Sequence, residues 1–187
     1  MSRLQRYLLV ALVAAATAAC AADRAVDRTP SGSTLPPTGL PMPPVMAERG
    51  ARGWTLLDGN RETLAEQAGR VLVLDFYATW CGPCRESTPH LVQLQRRFGP
   101  QGVRVVGLNV GGPDDRLRIA NFVREFSIQY DLGYPDQGLT ELLFASDTRI
   151  PQTFVFDRRG QLVQRFVGFD PGVAAALERT IAQALAD

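Results

Sequence analysis

The segment Asp75-Phe76-Tyr77-Ala78-Thr79-Trp80-Cys81-Gly82-Pro83-Cys84 joins two different sequence patterns. Upstream, Val71 to Tyr77 is a near-continuous apolar run, as a buried strand requires. Downstream, Leu91, Leu94 and Phe98 form one apolar stripe on a helix expected from about Gly82 to Phe98, stopped by Gly99-Pro100. The first turn of a helix presents unpaired N–H groups and the positive end of its dipole. That stabilises a thiolate at Cys81, the nucleophilic form of a thiol. Cys84, one helical turn on, lies on the same face and can attack a mixed disulfide formed at Cys81. Pro83 is tolerated because a first-turn residue has no helical acceptor to lose. Two blander readings stand beside this one. The pair could be half of a zinc knuckle, whose other half is missing, or a permanent structural disulfide, although Gly-Pro at a helix start is reactive geometry.

Further out, strand and helix patterns alternate. Trp54 to Leu57 reads as a strand ending in the turn Asp58-Gly59-Asn60, and Glu62 to Ala68 as a helical turn or two. Val103 to Val110 is a second buried strand. Asp114 or Asp115 is expected to cap a helix bearing Leu117, Ile119, Phe122, Val123 and Phe126. Leu139 to Phe144 is a short helix. Thr153 to Phe156 and Gln161 to Val167 are strands joined by a hairpin turn at 157–160. Asp170 as N-cap and Pro171 open a last helix with Val173, Leu177, Ile181 and Leu185 on one side. The class is α/β: a mixed central sheet flanked by helices.

Composition excludes several functions. The chain of 187 residues has 20 basic and 19 acidic side chains, too balanced for a nucleic-acid-binding field. Every basic residue is arginine, so Schiff-base chemistry and a P-loop lysine are both absent. The single histidine, His90, points away from the cysteine pair around the helix and reads as a surface residue. No metal ligand set or cofactor is expected beyond the redox-active disulfide of Cys81 and Cys84.

The N-terminus reads as a leader. Arg3 and Arg6 precede an apolar run from Leu8 to Ala19, broken only by Thr17. This is a positive segment, an apolar core and a small-residue exit, shorter than the roughly twenty residues of a membrane span. An uncleaved anchor is the alternative. Cys20 directly follows the exit, which resembles a bacterial lipoprotein signal whose cysteine is acylated; Thr17 stands where leucine is usual. An ordinary secretory signal remains open. Six of the 13 prolines lie between Pro30 and Pro44, mixed with serine, threonine and glycine. The expected organisation is a leader at 1–19, a flexible tether at 20–50 and one folded domain at 51–187.

Over about residues 54–185 the chain resembles the thioredoxin superfamily. The segment from Asp75 to Cys84 is similar to the thioredoxin active-site segment along its whole length. Pro89 matches the proline that kinks the family's active-site helix, and Ile150-Pro151 matches its cis-proline loop. Within the superfamily the chain looks like the extracytoplasmic TlpA/ResA-like group, which adds an N-terminal strand (here 54–57) and an insertion before the cis-proline (here roughly 111–148). The resemblance implies Cys81 as nucleophile, Cys84 as resolving thiol, and a cis Pro151 that leaves the Ile150 backbone free for a substrate strand. Trp80, Gly82 and Pro83 would frame the site. Asp75 would be the buried carboxyl that relays the resolving cysteine's proton, and burial should make it hard to ionise. Thioredoxins carry a lysine near that carboxyl; this chain has none.

Three functions compete. The first is an extracytoplasmic thiol–disulfide oxidoreductase, expected to reduce client proteins because Gly-Pro is the pair of reducing thioredoxins. Family resemblance suggests apocytochrome c or copper-site proteins as clients. The partners would be those clients, a membrane dithiol donor and a membrane reached through the lipid on Cys20; the protein is expected to be monomeric and to bind no nucleic acid. The second is a thiol peroxidase of the same fold, which would need threonine where Ala78 stands. The third is a copper chaperone using the two thiolates, although methionine- and histidine-rich motifs are absent.

Overall fold

A computed structural model describes residues 52–144 and 146–187. The leader at 1–19, Cys20 and the tether at 20–50 lie outside the described residues. In chain order the strands are β1 (Gly53–Leu56), β2 (Arg61–Thr63), β3 (Val71–Tyr77), β4 (Val103–Asn109), β5 (Asp131–Pro135), β6 (Gln152–Phe156) and β7 (Leu162–Val167). The helices are α1 (Gly82–Phe98), α2 (Pro113–Arg116), α3 (Ile119–Phe126), α4 (Gln137–Phe144) and α5 (Pro171–Ala186).

The strands form one mixed sheet in the order β2-β1-β5-β4-β3-β6-β7. β3 runs parallel to β4 and antiparallel to β6, and every residue of β3 is buried. Alternation splits its side chains between two apolar layers. Val71, Val73 and Tyr77 pack with Leu91, Leu94 and Phe98 of α1 and with Leu177 and Ile181 of α5. Leu72, Leu74 and Phe76 pack with Trp54 of β1, Leu139 and Leu143 of α4, and Phe154 of β6. The sheet is therefore covered on both faces, and Asp75 belongs to the α1 face by register.

Two expectations need correction, and one strand was not foreseen. Glu62 to Ala68 is not a helix: β2 pairs with β1, and a short 3-10 turn at Ala65–Gln67 follows. The Thr63 N–H and hydroxyl both donate to the Glu66 carboxylate, tying that turn to the strand end. Neither Asp114 nor Asp115 caps the next helix, which is two pieces, with Gly112 preceding α2. Asp115 is buried and used elsewhere, while Leu117, expected on the apolar face, is 85% exposed at the break. β5, with its glycine and terminal proline, was not expected as a strand; it completes the sheet between β4 and β1. The last helix begins as expected, with the Asp170 carboxylate accepting the Val173 N–H at 2.9 Å.

Candidate active site

Cys81 and Cys84 are joined by a disulfide, with Cα atoms 5.2 Å apart. Their setting follows from the strand-to-helix junction. Cys81 is the N-cap of α1, in extended backbone, and its Sγ accepts the Cys84 N–H at 3.2 Å. The backbone closes around it: Cys81 N–H donates to Ala78 O, and Arg85 N–H to Cys81 O. Cys81 is 5% exposed and Cys84 is fully buried. Gly82 and Pro83 are exposed at the start of the helix, and Trp80 is 60% exposed beside them. Opposite the pair, the Ile150–Pro151 bond is cis, and Ile150 O lies 3.7 Å from Cys81 Sγ. The first cysteine thus faces a stretch of backbone that arrives from the far end of the insertion.

Asp75 is buried, 1% exposed, between Val73 and Tyr77 on the α1 face of β3. Its register partner Thr153 donates its hydroxyl to Asp75 Oδ1 at 2.9 Å. Burial pushes the carboxyl up to about 7, against the lowering effect of that hydrogen bond. No lysine stands near it. Instead the buried phenols of Tyr77 and Tyr130 share its surroundings, and burial, with the Asp75 charge adding to it, raises both well above the usual range. Gly107, register partner of Asp75 on the other side, makes room: a Cβ there would stand 2.6 Å from Leu132 and 3.2 Å from both tyrosine rings.

Two residues around the pair escaped the sequence reading. Asp115 reaches back from α2 to Thr79, accepting its N–H at 2.9 Å and its hydroxyl, and also accepts from Asn109 Nδ2 at 2.7 Å. Arg85 donates to Thr79 O at 3.3 Å and is paired with Glu125 of α3, its guanidinium 5.1 Å from the Phe126 ring. The loop before Cys81 is held directly by Asp115 of the insertion and by Arg85 of α1, which is itself paired to Glu125 of the insertion. Asp115 carried a misleading signal, since an acidic residue after Gly-Gly-Pro reads as a helix start. His90 is half-buried, its ring 5.8 Å from that of Phe169, rather than on the open surface. Among the described residues no group of histidine, cysteine, aspartate or glutamate could hold a metal ion. No described helix is long and apolar enough to cross a membrane.

The chain is similar to the thiol–disulfide oxidoreductase ResA of Bacillus cereus, 29% identical over 117 residues that cover 61% of this chain and 64% of that protein. ResA of Bacillus subtilis is 28% identical over 112 residues, 59% of this chain and 60% of that protein. The matches thus span less than two thirds of these relatives. Among solved structures, a Chlorobium tepidum protein assigned as the thiol:disulfide interchange protein DsbE superposes with a TM-score of 0.63 at 30% identity, over 73% of this chain and 95% of that one. The fold is accordingly that of thioredoxin-like proteins of the ResA and DsbE kind. The family model described as AhpC/TSA matches residues 41–165, which take in the redox pair, the insertion and the cis-proline loop, and this chain belongs to the AhpC/TSA family.

Proposed function

We propose that this chain is an extracytoplasmic thiol–disulfide oxidoreductase that reduces the disulfides of client proteins. The observation that carries the reading is Cys81 at the N-cap of α1, accepting the Cys84 N–H and facing the Ile150 carbonyl. In the reduced form the same N–H and the helix dipole stabilise a Cys81 thiolate. That thiolate attacks a client disulfide. One sulfur of the client bonds to Cys81, and the other leaves and takes a proton. Cys84 then loses its proton, attacks Cys81 Sγ, restores the Cys81–Cys84 disulfide and releases the second client thiol. Two electrons have passed to the client, and a membrane dithiol donor returns them.

Asp75 suits the second step. With its carboxyl pushed up to about 7, it exchanges a proton near neutral pH from within the layer that holds Cys84. Gly82-Pro83 supports the reducing direction, because no histidine adds further stabilisation to the thiolate. Apocytochrome c haem-site cysteines and copper-site proteins are the client classes proposed, on family resemblance. The leader, an acylated Cys20 and the proline-rich tether would hold the domain, as a monomer, on the outer side of a bacterial membrane. Reduction of insulin disulfides by the domain, compared with the Cys81→Ser variant, tests the activity: turnover by the first and none by the second is expected.

A further inference from the structure

Gln152 follows the cis-proline directly and is fully buried. In β6 it stands opposite Phe76 of β3 and Val167 of β7. Alternation turns its side chain to the sheet face away from Asp75, the face of Phe154 and Phe156. There it meets the segment running from the end of α4 to the cis-proline. Its Nε2 donates to Asp147 O and to Arg149 O, each at 2.7 Å. Its Oε1 accepts from Arg165 Nε, on β7, at 2.9 Å. Arg165 in turn lies 3.8 Å from the Asp147 carboxylate, which also takes the Arg149 N–H at 3.0 Å.

Both amide N–H bonds of Gln152 are therefore spent on backbone carbonyls of one short loop, and its oxygen is tied to the neighbouring strand. Holding Asp147 O and Arg149 O fixes the path of the chain into Ile150, whose own carbonyl faces Cys81 Sγ at 3.7 Å. We infer that Gln152 is a positioning residue for client docking: it presents the Ile150 backbone, rigid and beside Cys81, to an extended polypeptide strand. The inference rests on the reductase reading above. A pre-ordered edge spares the ordering cost of pairing a client strand. A small disulfide, which needs only the cysteine pair, gains nothing from it.

The test compares insulin with a small aromatic disulfide as substrates for the full domain and its variants. Gln152→Leu removes all the amide's bonds, and Gln152→Glu loses the donors to the loop. Each should raise KM for insulin about tenfold, with kcat and the small-disulfide rate within about twofold of wild type. Arg165→Met, which removes the anchor from β7 together with the Arg165 contacts to Ser146 and Asp147 but leaves both Gln152 bonds to the loop carbonyls, should raise KM about threefold and serves if the Gln152 variants do not fold. Insulin and small-disulfide rates falling together, or a lowered unfolding midpoint with KM unchanged, would overturn the inference and leave Gln152 a residue of the fold alone. A wild-type domain that reduces neither substrate would instead remove the reductase reading itself.

Discussion

Asp115 Oδ2 accepts the backbone N–H of Thr79 at 2.9 Å, across 36 residues of sequence and two residues before Cys81. The contact gives the insertion a structural purpose, since it pins the loop that sets the N-cap geometry of the redox pair. Gly111 is fitted to it: a side chain there would collide with the Asp115 carboxylate. Asp115→Ala would leave the Thr79 N–H and hydroxyl and the Asn109 amide without their buried acceptor. A loss of roughly 2–4 kcal/mol is expected by urea denaturation. Burial alone would raise the Asp115 carboxyl, but hydrogen bonds from Asn109 and Thr79 outweigh it and hold the group below its usual range. Its contribution is therefore present above the unfolded value near 4 and is lost as pH falls through the lower folded value. A variant as stable as wild type at pH 7 would show that the clamp does nothing.

Asp75 has the opposite sign. Its folded carboxyl is pushed up to about 7, so the protein gains most from it below the unfolded value and loses that gain as pH rises towards 7. Asp75→Asn should remove this slope and stabilise the protein at pH 8 by roughly 2–4 kcal/mol. The same variant should slow disulfide reduction about 10- to 100-fold and erase the inflection near pH 7 from the rate profile. Denaturation and insulin reduction, each followed across pH 5–9, check both halves. An unchanged rate profile would leave Asp75 without a role in proton transfer.

The cysteine roles separate cleanly by substitution. Cys81→Ser should abolish reduction, and Cys84→Ser should accumulate clients as mixed disulfides, visible on non-reducing gels. Cys81 carries the slight exposure and faces the cis-proline loop, whereas Cys84 is fully buried. Trapping by Cys81→Ser instead would reverse the roles.

The redox segment was legible because strand, turn and helix each carry a strong local signal. Every residue of β3 is apolar except Asp75, and α1 opens on Gly-Pro and ends before Gly99. What escaped depends on long-range contacts. β2 has three residues and gains its identity only from pairing with β1. β5 contains Gly133, which a strand disfavours, yet a Cβ there would strike Thr55 O of β1, so the close pairing itself demands glycine. Asp115 is distinguished by its hold on Thr79, 36 residues away, and Gln152 by an amide that ties two nearby backbone carbonyls to Arg165 of the next strand; no local periodicity encodes either set of contacts.

Cys20 lies outside the described residues, and its proposed acylation makes a separate prediction. The mature protein should partition into detergent and take up labelled palmitate, and Cys20→Ala should release it to the aqueous phase. An unmodified N-terminus at another residue, found by mass spectrometry, would contradict the lipid anchor and leave the redox chemistry untouched.

The direction of electron flow is tested most directly by the reduction potential of the Cys81–Cys84 pair, titrated against glutathione. A reductase carrying Gly-Pro should lie near the roughly −270 mV of thioredoxin, and Pro83→His should move the potential upward. A wild-type potential above about −180 mV, in the range of isomerases and oxidants, would contradict a reducing role and turn the proposed chemistry around.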